Sequence, residues 1–220
     1  MKDVQLTEMI QLTGIVAIVR LRDQAAKNNI LSSLALGGIT NIEITLGTPE
    51  CLETVTRWRG STATQIGVGT VRTDDDARRA ISSGAQFLVT PTTVPSVLAL
   101  AAAAEIPVIC GALTPTEIDL AWSLGAAAIK VFPANSVGGP EYLKSIMAPM
   151  PDVPFMPTGA VEVATARHYA ELGCTGVGVG SALVAEDLVV AEAWNALAIR
   201  AAEFVHAWDG GLLASGRTTA

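Results

Sequence analysis

The chain is poor in aromatic side chains, positive charge, histidine and cysteine, and each shortage closes off a class of function. Only 5% of its 220 residues are aromatic, and only two, His168 and His206, are histidine. Both fall in segments that read as outer helices, which argues against a polyhistidine metal centre. The three cysteines, Cys51, Cys110 and Cys174, are odd in number, far apart and set in apolar surroundings. They read as core thiols of a reducing compartment, not as disulfides or a zinc site. Lys and Arg total 14 against 21 Asp and Glu, a formal net charge of −7. Nucleic acid requires a basic footprint and is not an expected partner. An anionic small molecule is compatible, provided that a few local cationic groups hold it. Half the chain is hydrophobic, yet its most apolar stretch, 97–104, runs directly into Glu105 and Pro107. That is far short of the ~20 residues of a spanning helix, so no membrane is expected. Met1-Lys2-Asp3-Val4-Gln5 lacks the charged start and apolar run of a signal peptide, and a cytoplasmic location is expected.

What the chain does have is a regular alternation. Short apolar segments suited to buried strands lie at 15–20, 41–46, 65–71, 87–91, 107–112, 128–133, 154–159 and 176–181. Helical patterns separate them, several opening on a capping residue: Asp23 before 24–36, Thr73 before 74–83, and Thr114-Pro115 before 116–124. Several close on glycine, at Gly37-Gly38, Gly84, Gly125 and Gly173. Eight such units without a linker predict one α/β domain over 1–220, a (β/α)₈ TIM barrel. Spacing alone leaves a doubly wound open sheet as the alternative. The segment before Thr13 reads as a short N-terminal helix across the bottom of the barrel. The Gly/Ser/Thr-rich tail, 209–220, reads as frayed and flexible.

One residue is out of keeping with its surroundings. Lys130 sits in the apolar run Ala128-Ile129-Lys130-Val131-Phe132-Pro133. A buried lysine needs a partner or a purpose. Burial disfavours the ammonium form, and a neutral amine can form a Schiff base with a carbonyl substrate. A structural lysine paired with a carboxylate fits the run equally well. The second strand supplies a candidate partner. Ile42, Ile44 and Leu46 share one parity, while Asn41, Glu43 and Thr45 share the other and are expected to point into the barrel. Glu43 and Lys130 are therefore expected to meet near the C-terminal ends of the strands, where barrel active sites lie. An amine beside a carboxylate is what Schiff-base catalysis requires. It is also a pair that satisfies itself.

Seven segments, in order from Gly14 to Ser181, resemble the class I 2-keto-3-deoxy-6-phosphogluconate (KDPG) and 4-hydroxy-2-oxoglutarate aldolases. They are Gly14-Ile15-Val16-Ala17-Ile18-Val19-Arg20, Ile42-Glu43-Ile44-Thr45-Leu46, Gly67-Val68-Gly69-Thr70-Val71, Thr90-Pro91, Ile129-Lys130-Val131-Phe132-Pro133, Pro157-Thr158-Gly159 and Gly178-Val179-Gly180-Ser181. The resemblance implies a homotrimeric TIM barrel that cleaves 2-keto-4-hydroxy acids to pyruvate and an aldehyde, with no metal or other cofactor. It implies that Lys130 is the Schiff-base lysine and Glu43 the general acid/base. Thr70 would meet the pyruvyl carboxylate, and Pro91 and Phe132 would form an apolar wall. Thr158, Gly159 and Ser181 would lie toward a phosphate end.

Two positions depart from that pattern. Gly47 stands where KDPG aldolases carry a carboxylate-binding arginine, although the related galactonate-epimer aldolases also lack it. Arg20 is the best local replacement cation, with a rim salt bridge as its other reading. Ala160 stands where phosphate-binding members carry a second glycine. Two further readings remain at this point: a non-catalytic barrel that binds a sugar acid or phosphate, and a metal-dependent aldolase or epimerase on the same fold. The scarcity of histidine speaks against the second.

Overall fold

The strands all run in one direction and follow one another around a single sheet. In the computed structural model, which describes residues 14–22, 27–61 and 64–217, they are β1 (Ile15–Val19), β2 (Asn41–Thr45), β3 (Gln65–Gly69), β4 (Leu88–Val89), β5 (Val108–Gly111), β6 (Ala128–Val131), β7 (Phe155–Pro157) and β8 (Val177–Val179). Their order is β7-β6-β5-β4-β3-β2-β1-β8, with every ladder parallel. The ring closes where a bridge from Thr158 to Gly178 and the bond from Thr175 N–H to the Phe155 carbonyl (2.9 Å) join β7 to β8. This is a (β/α)₈ barrel; the sequential order has no switch point and rules out the doubly wound alternative.

Nine helices are described: α1 (Lys27–Leu36), α2 (Cys51–Trp58), α3 (Asp74–Ser83), α4 (Pro95–Ala103), α5 (Pro115–Ser123), α6 (Gly139–Met147), α7 (Val163–Leu172), α8 (Glu186–Val190) and α9 (Trp194–Ala214). Two starts are fixed by reciprocal capping boxes, Thr73 with Asp76 and Thr114 with Glu117. The expected N-terminal helix, the cap at Asp23 and residues 24–26 lie outside the described residues, as do 218–220.

Period-2 alternation sorts the strands into two cores. Ile15, Ala17, Val19, Ile42, Ile44, Ile129 and Val131 join the layer between sheet and helices. Val16, Phe87, Val89, Ile109, Ala128 and Met156 fill the barrel interior. The Phe87 ring occupies the space that a side chain at Gly67 would need. The three cysteines are free and buried, and burial pushes the Cys51 and Cys174 thiols up to about 12. At neutral pH they are protonated core groups. Among the described residues, no helix is long and apolar enough to cross a membrane, and no cluster of His, Cys, Asp and Glu is arranged to hold a metal ion. His168 and His206 are exposed on α7 and α9.

The tail corrects the sequence reading. The chain does not fray at Asp209; α9 continues to Ala214, with Trp208, Gly211 and Leu212 buried. Gly210-Gly211 reads as a breaker in isolation, but a Cβ at Gly211 would meet the Arg167 carbonyl and come within 2.7 Å of Ala170 Cβ. The glycine lets α9 lie directly on α7. Gly211→Ala is therefore expected to cost about 1–3 kcal/mol through overpacking, read as a fall in melting temperature of several degrees. An unchanged transition would remove this account of the pair.

Candidate active site at the barrel mouth

Lys130 and Glu43 point into the same space. Lys130 Nζ lies 3.7 Å from Glu43 Oε2, with the two side chains 9% and 1% exposed. Their strands are on opposite sides of the ring, and only the shared inward parity brings them together. Glu43 Oε2 has no hydrogen-bond partner. A buried carboxylate oxygen left open toward an amine is available to a reacting group. Glu43 also lies on bare backbone: a Cβ at Gly69, which pairs on β3 with Thr45 of β2, would overlap the glutamate's Oε1 and crowd its Cδ and Cγ.

The other expected site residues lie at or just beyond the C-terminal ends of the strands. Phe132 follows β6, is 45% exposed, and holds its ring centroid 5.8 Å from Lys130 Nζ. The same ring covers Gly159, whose Cβ would sit 3.3 Å from Phe132 Cδ2. Pro91 follows β4, and its backbone lies against Gly111, where a side chain would not fit. Thr70 follows β3 with φ 62, a costly conformation for a β-branched residue. Such strain persists where the surrounding structure over-determines it; here Val71 N–H is bonded to the Val89 carbonyl at 3.2 Å. Thr158 is buried at the β7–β8 closure, and its hydroxyl overhangs Gly178. Arg20 and Ser181 are exposed on the rim, immediately after β1 and near the end of β8, without a bond to the central pair. Gly47 is exposed, and a side chain built on it would meet open space.

Several supports were not visible in the sequence. Thr48 ties the first two strands together. Its hydroxyl lies 3.2 Å from that of Thr45, donates to the Val19 carbonyl at 3.3 Å, and accepts from Leu21 N–H at 3.2 Å. Lys27, at the start of α1, is buried and donates to the Pro49 carbonyl at 2.9 Å while facing Glu50 Oε2 at 3.5 Å. These bonds hold the β2–α2 loop, in which Glu50 has φ 52, over the mouth. Opposite, Thr90 Oγ1 accepts from Gly111 N–H at 3.1 Å and fixes the β4–β5 edge.

A parallel barrel with an amine and a carboxylate meeting in its mouth defines a class of enzyme that works through covalent carbonyl chemistry. The comparisons place the chain within that class. Residues 6–199 match the family model described as KDPG and KHG aldolase. The 2-dehydro-3-deoxy-phosphogluconate aldolase of Pseudomonas aeruginosa is 32% identical over 169 residues, covering 76% of this chain and 77% of its own. The KHG/KDPG aldolase of Escherichia coli K12 is 31% identical over 204 residues, covering 90% and 94%. A KDPG aldolase from Legionella pneumophila, captured with pyruvate as a covalent carbinolamine, superposes with a TM-score of 0.81 at 25% identity, covering 89% of this chain and 96% of its own. The chain belongs to the KDPG and KHG aldolase family, and is thus a carbon–carbon lyase.

Proposed function

We propose that the chain cleaves a 2-keto-3-deoxy-4-hydroxy acid to pyruvate and an aldehyde through a Schiff base on Lys130. The relatives' substrates suggest KDPG, its galactonate epimer or 4-hydroxy-2-oxoglutarate as the compounds to try. The observation that carries the reading is the buried Lys130–Glu43 pair, 3.7 Å apart with Glu43 Oε2 unbonded.

Lys130 Nζ attacks the C2 ketone, and loss of water gives an iminium. Glu43 takes the C4 hydroxyl proton, directly or through one water, as the C3–C4 bond breaks. The bonding pair flows into the iminium, leaving a pyruvate enamine, and the aldehyde departs. The enamine is protonated at C3, and water then releases pyruvate and restores the amine. Thr70 hydrogen-bonds the carboxylate, and Arg20 supplies the cation that Gly47 does not. Pro91 and Phe132 shield the adduct, while Thr158, Gly159 and Ser181 receive the far end of the substrate. The iminium is the electron sink, so the scheme calls for no metal or added cofactor, and full activity in EDTA is expected. The family resemblance supports a homotrimer and the three buried thiols a cytoplasmic location; light scattering and cell fractionation test these.

Borohydride reduction in the presence of pyruvate tests the core of the scheme. Peptide mass spectrometry is expected to find a reduced pyruvyl adduct on Lys130. Absence of any adduct there would end the Schiff-base reading.

A further inference from the structure

We infer that the far end of this site takes an uncharged, hydroxylated chain, so that the aldehyde it releases carries no phosphate. The inference rests on the aldolase reading above and narrows its substrate class. In (β/α)₈ barrels, phosphate is commonly held by the loops after strands 7 and 8. Here the loops after β6, β7 and β8, residues 132–141, 158–163 and 180–190, contain no lysine or arginine. They contain four carboxylates instead, Glu141, Glu162, Glu186 and Asp187, all exposed. Apart from Lys130 itself, the cations near the mouth come from other segments, and Arg200 on α9 reaches this side only to donate to the Ala182 carbonyl at 3.5 Å. Arg20 and Arg22 follow β1, Arg72 follows β3, and Lys27 is committed to the Pro49 carbonyl and Glu50. The side chains of the loops after β6, β7 and β8 thus bring negative charge to the β7–β8 end, while Arg20, Arg22 and Arg72 stand beyond β1 and β3.

Backbone groups do not compensate. A phosphate without a cationic partner is held by bare N–H groups that the anion approaches closely. After Gly159 (φ 105), that path is taken by Ala160 at φ 51, which puts an exposed methyl on the loop. The helix behind it, α7, has Glu162 at its N-cap position, with no side-chain cap bond. A carboxylate thus already stands at the positive end of that helix dipole. What remains suits neutral hydroxyls. Thr158 Oγ1 makes only a 3.4 Å bond to the Met156 carbonyl, and Asn135 and Ser136 after β6 and Ser181 after β8 are exposed. These groups both donate and accept, as a polyol requires.

The test compares 2-keto-3-deoxygluconate with its 6-phosphate, and the galactonate pair likewise, in a pyruvate-release assay on the full chain. A kcat/KM for the unphosphorylated acid that equals or exceeds that of its phosphate ester is expected in at least one pair. A preference for the ester in both pairs overturns the inference. Pyruvate trapping on Lys130 separates this from failure of the aldolase reading: ester preference with trapping sinks only the inference, whereas no trapping sinks both. The double variant Ala160→Gly/Glu162→Gln is expected to move the ester-to-acid ratio toward the ester by about tenfold. A ratio that stays at the wild-type value removes those two residues from the argument and overturns the inference as stated.

Discussion

Lys130→Met is expected to abolish aldol cleavage, a loss on the order of 10⁴- to 10⁶-fold, because among the described residues the other lysine near the mouth, Lys27, is held by the Pro49 carbonyl and Glu50. Pyruvate and borohydride should then leave the protein unmodified. The substitution also removes the cation facing Glu43, whose side chain is 1% exposed. Breaking a buried pair by removing one partner typically costs about 3–5 kcal/mol. Two measurements therefore move together in Lys130→Met and should separate in Lys130→Met/Glu43→Gln. The double variant should regain much of the stability while remaining inactive. If Lys130→Met keeps its turnover, the pair is structural and the chemistry lies elsewhere.

Gly69→Ala tests the carboxylate without altering its chemistry. The new Cβ would occupy the volume of Glu43 Oε1 and crowd Cδ and Cγ as well, so the whole glutamate side chain must swing aside. The obstructed group is a flexible side chain rather than backbone, and the barrel is expected to remain folded. Lys130 keeps its place, so pyruvate should still be trapped on it. Turnover should fall by about 10²- to 10⁴-fold, the usual contribution of a positioned acid or base. A kcat within threefold of wild type would mean either that Glu43 need not sit on Gly69 or that it is not the proton carrier.

The sequence made the frame of this molecule readable because the barrel repeats two simple signals. Eight apolar segments and the helix caps at Thr73 and Thr114 recur at the pitch of a β/α unit, and all eight strands form within the expected spans. The ladders are shorter than the apolar segments. Thr70, Phe132 and Ser181 follow strands rather than ending them, and at Thr70 the φ of 62 breaks the extended backbone. The central pair was readable for a different reason. On β2 the polar residues occupy a single parity, and on β6 the charge is alone in an apolar run, so both could be aimed before any coordinate. What stayed hidden depends on contacts between distant segments. Gly69 carries no side chain to advertise that it makes room for Glu43. Lys27 reads as an ordinary helix residue until Pro49 is brought to it. Gly211 fell in a tail read as frayed, and it is instead a point where α9 lies directly on α7.

The join between β7 and β8 has a consequence for how the barrel breathes. Elsewhere each strand is stitched to its neighbour by a ladder of two to five registered pairs, but here one bridge, Thr158 to Gly178, does most of the stitching. Local opening takes the least-tied route, so this hem is the place where the wall parts first. A substrate reaching from Lys130 on β6 to Ser181 beyond β8 spans the hem from one side to the other. Occupancy and closure are then parts of one equilibrium, and the barrel is most nearly whole when it is at work.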